Sequence, residues 1–482
     1  MAGGKARTVY TCQQCGHQEP RWLGRCPDCG TWGSLVVEQP APASRRKGRA
    51  AGGGPGADAV PITEIPAAAV ERLPTGLGEF DRVLGGGLVP GSLVLVGGEP
   101  GVGKSTLLLQ MCAGLCGWGA RVLYVSGEES LEQLRRRGER VDSLTDRLYL
   151  AAETSLQAAA EQVERVKPTV LVVDSVQAVV SEEVDAPPGT LSQVRAVADR
   201  LRHIAKGQGI ATLLIGHVTK EGTLAGPKAL EHLVDAVIAF EGDLHGRYRI
   251  LRATKNRFGS TDEIGVFRMA GEGLREVPNP SASFLGERPI GAPGSAVTAS
   301  LEGSRPILVE VQALVGGSGA AMPRRVATGL EGQRVAMLLA VVEKRLGLPL
   351  GACDVFLNVA GGLRVSEPAA DLGVVAALLS SYRDRPLDPG CVFFGEIGLT
   401  GEIRGVPQAD RRLQEAVRLG FTGAFVPPSA AALAPRDLRA CPVAALQELP
   451  GALFPVALPK NALSPFPRGR PLHPSGEHEE NC

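Results

Sequence analysis

Between residues 60 and 276, short apolar runs alternate with apolar residues at helical spacing. Leu93-Val94-Leu95-Val96 reads as a buried strand, and Leu107, Leu108, Met111 and Leu115 follow it along one face of a helix. Val122 to Val125 and Thr169 to Val173 read as further strands. Leu191, Val194, Ala198, Leu201 and Ala205 stripe a helix that the pattern ends at Gly207, and Ile210 to Ile215 is the next strand. Tyr248 to Ala253 alternates like a strand and leads into a loop at Thr254. This alternation predicts an α/β domain built on a mainly parallel sheet.

A second unit is expected over 284–456. Strands at Pro306 to Val315, Asp354 to Val359 and Cys391 to Phe394 are interleaved there with helices carrying Val335 to Leu346, Ala369 to Ser381 and Gln408 to Leu419. Residues 38–59 are rich in Pro, Ala and Gly around Arg45-Arg46-Lys47-Gly48-Arg49 and read as a flexible basic linker. Residues 457–482 are Pro-rich and polar and read as a disordered tail.

Composition narrows the class. The 482 residues are 44% hydrophobic and 21% charged, enough for several cores and too apolar for a wholly disordered chain. With 51 basic and 51 acidic residues the net charge is zero, which excludes a simple polybasic nucleic-acid binder but not a local basic face. No apolar run approaches the roughly 18 residues that span a bilayer, and Met1 to Tyr10 lacks the apolar core of a secretory signal. The expectation is a cytoplasmic protein without membrane contact, whose cysteines stay reduced, so that clustered ones are metal ligands.

Cys12, Cys15, Cys26 and Cys29 form C-x2-C-x10-C-x2-C, two knuckles offering four thiolates to a structural zinc ion. Gly16 and Gly30 follow the second cysteine of each pair, where the chain turns back. His17 lies beside a complete ligand set and reads as a surface residue.

After the strand at Leu93, Gly98-Glu99-Pro100-Gly101-Val102-Gly103-Lys104-Ser105-Thr106 matches G-x4-G-K-[ST] between a strand and a helix, the context this phosphate loop requires. Glycines let successive N–H groups face the phosphates of ATP at a helix N-terminus. Lys104 then neutralises phosphate charge, and the Ser105 hydroxyl ligates Mg²⁺. Asp174 ends the strand Thr169 to Val173 and is placed to hold the same Mg²⁺ through water. Glu128 and Glu129 follow the strand at Val122; one of them can orient and deprotonate the attacking water, and Glu128, nearer the strand end, is the choice over a pair of solvated helix-start acids. Gly216-His217-Val218-Thr219-Lys220-Glu221-Gly222 leaves the strand at Ile210, so His217 is either a γ-phosphate sensor or a structural histidine. Lys255 and Arg257 bracket a loop that either completes a neighbouring subunit's nucleotide site or is an ordinary solvated hairpin.

Taken together, the four-cysteine finger, GGEPGVGKST at 97–106, YVSGEES at 124–130, LVVDS at 171–175, GHVTKEG from Gly216 and KNRFG at 255–259 resemble the bacterial RadA (Sms) DNA-repair and recombination ATPases. The resemblance covers nearly the whole chain. It implies an N-terminal zinc finger at 1–37, a RecA-like P-loop ATPase core at 60–276, and a homo-hexameric ring on single-stranded DNA that drives branch migration. It also implies branched DNA as substrate, possible work beside a RecA-type recombinase, and functional roles for Lys104, Lys255 and Arg257. The last domain resembles the proteolytic domain of Lon, with departures. Ala369 in Glu367-Pro368-Ala369-Ala370-Asp371 falls where Lon has its serine, and Asp410 falls about where it has its lysine. A methyl group cannot attack a carbonyl, so this α+β domain is expected to be proteolytically inactive, a scaffold or DNA surface with Arg345, Arg364, Arg411, Arg412 and Arg418 as candidate backbone contacts. Against the DNA-dependent ATPase stand two other readings, an ATP-dependent protease, disfavoured by Ala369, and a nucleotide-gated adaptor.

Overall fold

A computed structural model describes residues 9–12, 17–28, 30–38, 61, 63, 71–217, 228–242, 248–318 and 322–455. Cys15, Cys29, Gly16, almost all of the linker, Val218 to Gly222 and the tail at 457–482 lie outside the described residues. The chain divides into two compact units, one ending at Glu276 and one beginning at Val277.

In the first unit, the N-terminal module is a small antiparallel sheet with β1 (Val9–Cys12) between β2 (Gln18–Glu19) and β3 (Leu35–Glu38). The main body is a nine-stranded sheet of β4 (Leu93–Gly98), β5 (Val122–Ser126), β6 (Leu148–Ala152), β7 (Val170–Asp174), β8 (Ala211–His217), β9 (Ala236–Gly242), β10 (Tyr248–Asn256), β11 (Ile264–Ala270) and β12 (Gly273–Glu276). Their order is β12-β11-β10-β9-β4-β8-β7-β5-β6. The strands from β9 to β6 in that order pair in parallel, and β10, β11 and β12 add an antiparallel edge.

β4 lies inside this sheet and is buried throughout, which is why it reads as an unbroken apolar run. Val94 and Val96 face a cluster completed by α2 (Lys104–Gly117), whereas Leu93 and Leu95 face one completed by Val194, Ala198 and Leu201 of the helix Leu191–Gln208. Register places Gly98 beside His217 and Ser126 beside Asp174, so the carboxyl ends of β4, β5, β7 and β8 share one edge. The helix from Leu191 runs past Gly207, where the pattern ends it, to Gln208, and Gly209 caps it at φ +70°, a left-handed conformation that glycine adopts without strain.

In the second unit a seven-stranded mixed sheet has the order β15-β16-β14-β13-β17-β20-β21. These are β13 (Ser295–Glu302), β14 (Arg305–Gly317), β15 (Arg325–Thr328), β16 (Cys353–Val359), β17 (Cys391–Phe393), β20 (Gly423–Val426) and β21 (Arg439–Pro442); β18 (Glu396–Ile397) and β19 (Ile403–Arg404) form a separate pair. The unit starts before Phe284, because a helix at Pro280–Leu285, capped by Asn279 accepting from the Ala282 N–H at 3.2 Å, already belongs to it. β13 escapes the hydrophobic pattern because Ser295, Thr298 and Ser300 break the apolar run, yet all three are buried.

One arginine departs from expectation. Arg412, on the helix Ala409–Arg418, is fully buried and cannot meet a DNA backbone. Its guanidinium pairs with Glu367 and donates to the Pro407 carbonyl at 3.1 Å and to the Ala299 carbonyl. Arg345, Arg364, Arg411 and Arg418 are exposed, although Arg418 is engaged by Glu415 at 2.7 Å. Ala369 is buried in the turn Pro368–Ala370, whereas Asp410 is exposed on the first turn of its helix. Removing one partner of a buried ion pair strands the other, so Arg412→Ala is expected to cost about 3–5 kcal/mol, read as a lower urea midpoint for this unit. The exposed Arg364→Ala should leave that midpoint in place.

Candidate functional site

The site grows from the end of β4. A Cβ at Gly98 would lie 2.4 Å from the Phe240 carbonyl oxygen of β9, so only glycine lets these strands stay paired as the loop departs. Gly101 and Gly103, at φ +80° and +112°, turn the chain back into α2 through the left-handed region. Glu99 and Pro100 are exposed on the loop, Val102 packs inward, and Arg249 of β10 braces it by donating from Nε to the Val102 carbonyl at 3.0 Å.

Lys104 opens α2 and is only 5% exposed. Its ammonium donates to the carbonyls of Gly98 at 2.8 Å and Glu99 at 2.9 Å. Burial pushes its pKa down, opposed by the carboxylates of Asp174 and Glu128. Asp174, at the end of β7, accepts from the Tyr124 hydroxyl at 2.6 Å and from Ser105. Burial pushes this carboxyl above the ordinary aspartate range, with those two hydrogen bonds pulling against it. Thr106, the next residue of α2, is buried.

The two glutamates after β5 part company. Ser126 Oγ accepts from the N–H groups of both, at 3.3 Å for Glu128 and 2.9 Å for Glu129. Beyond that, the Glu128 carboxylate accepts from Ser175, the residue after Asp174, and so is tied to the end of β7. The Glu129 carboxylate pairs instead with Arg137 on the helix Leu131–Arg140. Burial raises the Glu129 pKa, opposed mainly by Arg137.

The phosphate-loop residues with Lys104, Ser105, Glu128 and Glu129 line a cavity of about 560 Å³ that also reaches Arg137, Arg140 and the β11–β12 hairpin at Met269 to Gly273. Gln110 of α2 ties that hairpin down, donating to the Leu274 carbonyl at 3.0 Å and accepting from its N–H at 2.8 Å. The lining therefore offers backbone N–H groups, an ammonium and metal-competent oxygens, together with Met269 and glycine backbone against which a flat base can lie. Such a set fits a nucleoside triphosphate with a divalent cation.

Arg137, Arg140, Tyr124, Ser175 and the hairpin were not singled out by sequence reasoning. An available signal was the Arg135-Arg136-Arg137 run just past Glu128-Glu129. His217 closes β8 beside Gly98, with its side chain outside the described atoms.

Lys255 and Arg257 are not brought to this cavity. β10 continues through Asn256, so Lys255 sits in the strand and not in a loop from Thr254. Its ammonium donates to the carbonyls of Val234, at 2.9 Å, and Glu231; burial pushes its pKa down, and the neighbouring Arg257 adds to the effect. Asn256 donates to Val83 and Leu84 at 3.2 and 3.3 Å, and Arg257 pairs with Asp235 at 3.2 Å. Asp235 in turn accepts from Lys206 at 2.7 Å and from the Leu93 N–H at 3.0 Å. KNRFG is thus anchored at the start of β4, roughly 17 Å from Gly98 at ~3.3 Å per residue.

In the N-terminal module Cys12 and Cys26 are buried together with Leu35. The N–H of Cys12 donates to the His17 carbonyl at 2.8 Å and that of Cys26 to the Thr31 carbonyl at 2.9 Å, the same turn at each knuckle, and Gly30 adopts φ +74°. His17 Nε2 lies 2.9 Å from Glu19 Oε1, facing away from metal duty. Paired knuckles that bury their leading thiols fit a tetrahedral metal; Cys15 and Cys29, the other two candidates, lie outside the described residues.

Comparison with known proteins finds families over both regions. Residues 61–223 match the AAA domain family and residues 10–36 the rubredoxin metal binding domain family. The chain is 49% identical over 425 residues to the DNA repair protein RadA of Bacillus subtilis (strain 168), covering 88% of this chain and 93% of that one. It is 50% identical over 426 residues to the DNA repair protein RadA of Streptococcus pyogenes serotype M6, covering 88% and 94%. Among solved structures, a KaiC-like protein of Pyrococcus horikoshii aligns at 22% identity and a TM-score of 0.38, covering 44% of this chain and all of that one.

Because a methyl group at residue 98 would collide with the Phe240 carbonyl, Gly98→Ala is expected to lower stability by about 1–3 kcal/mol. Urea unfolding checks the cost, and unchanged stability would show that β4 and β9 part freely at this point.

Proposed function

This chain belongs to the RadA family of DNA repair proteins, and from that premise we propose that it is a DNA-dependent ATPase, a homo-hexameric motor that moves along single-stranded DNA and migrates the branch point of recombination intermediates. The observation that carries the ATPase reading is the buried Lys104 ammonium, resting on two loop carbonyls and facing Asp174 and Glu128. In the proposed cycle, the loop Gly98 to Thr106 receives the β- and γ-phosphates of ATP on its backbone N–H groups, Pro100 having none to give. Lys104 leaves the carbonyls of Gly98 and Glu99 for the γ-phosphate. The Ser105 hydroxyl and, through water, Asp174 would hold Mg²⁺, which would supply positive charge to the phosphoryl oxygens. Tyr124 fixes the Asp174 carboxylate for that task. Glu128, oriented by Ser175, positions the attacking water and takes its proton, while Arg137 keeps Glu129 aside.

His217 ends β8 next to the loop and is assigned the sensing of γ-phosphate, passing its presence to the chain that follows. Lys255 and Arg257 act in trans. Their place at the far end of β4 keeps them from their own loop, so a ring neighbour is the natural recipient of their charge. Cys12, Cys15, Cys26 and Cys29 hold Zn²⁺ as a structural site. The second unit is an inactive relative of the Lon proteolytic domain, serving as scaffold and DNA surface through Arg345, Arg364, Arg411 and Arg418. Ala369 there has no nucleophilic atom, which weighs against ATP-dependent proteolysis. Branched DNA, a RecA-type recombinase and a cytoplasmic setting complete the proposal; among the described residues no helix is long and apolar enough to cross a membrane.

Lys104→Ala is expected to lower the rate of ATP hydrolysis by at least ~10²-fold without unfolding the core. Retention of wild-type turnover by that variant would sink the ATPase assignment. Cys26→Ser should release the bound zinc, measured by metal analysis of the purified chain, while the urea transition of the nine-stranded core stays where it was.

A further inference from the structure

The N-terminal module leaves two tryptophans in solvent. Trp22 is 58% exposed and Trp32 75%, and neither belongs to the small cluster of Cys12, Cys26 and Leu35 that the module buries. They are neighbours, because a Cβ built on Gly24 would lie 3.7 Å from the Trp22 ring and 3.6 Å from the Trp32 ring. Their spacing is held by backbone: Arg25 and Trp32 pair across an antiparallel bridge, and the Gly33 N–H donates to the Gly24 carbonyl at 2.8 Å. Glycine at 24 thus keeps open a notch walled by two indoles.

Two arginines bracket the Trp22–Gly24 stretch, with the exposed Asp28 further along the chain. Arg21 is exposed beside Trp22, and the Arg25 guanidinium sits 6.0 Å from the Trp32 ring centroid while Nε donates to the Gly30 carbonyl at 2.7 Å. Glu19, the carboxylate close to Arg21 in sequence, is engaged by His17. The chain that leaves the module carries Arg45, Arg46, Lys47 and Arg49, and no acid between residues 39 and 57. Rigid indole faces beside cations, with a long acid-free basic stretch following, match the chemistry of a polyanion that carries flat apolar rings.

We propose that the Trp22–Gly24–Trp32 notch is a stacking site for unpaired bases of single-stranded DNA, with Arg21 and Arg25 on the flanking phosphates. The notch gives the metal module a hold on the strand separate from the motor core, and it tolerates any base because every base has a π face. The inference rests on the DNA-motor reading for its ligand and adds the surface and the mode of contact.

The chain has three tryptophans, so Trp118→Phe confines indole emission to this notch. In that background the zinc-loaded full chain, titrated with oligothymidylate without nucleotide, is expected to lose emission as bases stack, and blunt duplex should leave emission unchanged. Trp22→Ala and Trp32→Ala should each weaken oligothymidylate binding, followed by anisotropy, by at least about fivefold at unchanged zinc content, and Trp→Phe at either position should restore most of it. Anisotropy that reports binding while emission stays constant overturns the notch and leaves the motor reading intact. No binding by either readout removes both. Equal quenching by blunt duplex overturns stacking on unpaired bases, and emission that follows chain concentration without DNA assigns the patch to contact between copies and overturns the proposal too.

Discussion

Lys104 carries a positive charge into a position with 5% of its surface exposed, and a charge so placed must be answered from every side. Two loop carbonyls accept hydrogen bonds from its ammonium, and Asp174 and Glu128 supply opposing charge, but they do so at their own cost, since burial pushes the Asp174 carboxyl up. The arrangement is balanced only loosely. A polyphosphate with a divalent cation is the kind of ligand that satisfies all these groups at once, giving the ammonium an anion and the carboxylate a metal. The rest of the first unit follows from keeping that cluster in place. β4 is buried on both faces to deliver Gly98, β7 and β5 run beside each other to deliver Asp174 and the glutamates, and Tyr124 and Ser175 hold the acids in fixed directions.

A second charged node stabilises the opposite end of the same strand. Asp235, almost wholly buried, gathers Lys206, Arg257 and the Leu93 N–H, while Lys255 and Asn256 cap backbone carbonyls around it. KNRFG is therefore part of the scaffold, with both of its cations engaged near the start of β4. In the proposed ring, the contacts that fix β4 would also fix what Lys255 and Arg257 present to a neighbouring copy.

The phosphate loop was legible in the sequence because its chemistry is performed by backbone, which forces glycines at set spacing after an apolar strand. The metal binding domain was legible for a similar reason, since metal geometry dictates the spacing of its paired knuckles. What stayed hidden depended on partners remote in sequence. The burial of Arg412 is answered by Glu367 and by the Ala299 carbonyl, and nothing local distinguishes it from the exposed Arg411 beside it. The separation of Glu128 from Glu129 is decided by Ser175 and Arg137, on a different strand and helix. β13 stayed hidden because a strand of small hydroxylated residues looks polar until its neighbours bury it.

The central claim is that ATP turnover at this cavity is coupled to single-stranded DNA. Its most direct test measures ATP hydrolysis with and without single-stranded DNA over a series of salt concentrations. Stimulation by DNA that falls steeply as salt rises, as contacts to many phosphates require, is the predicted result. A hydrolysis rate indifferent to DNA at every salt concentration would contradict the account.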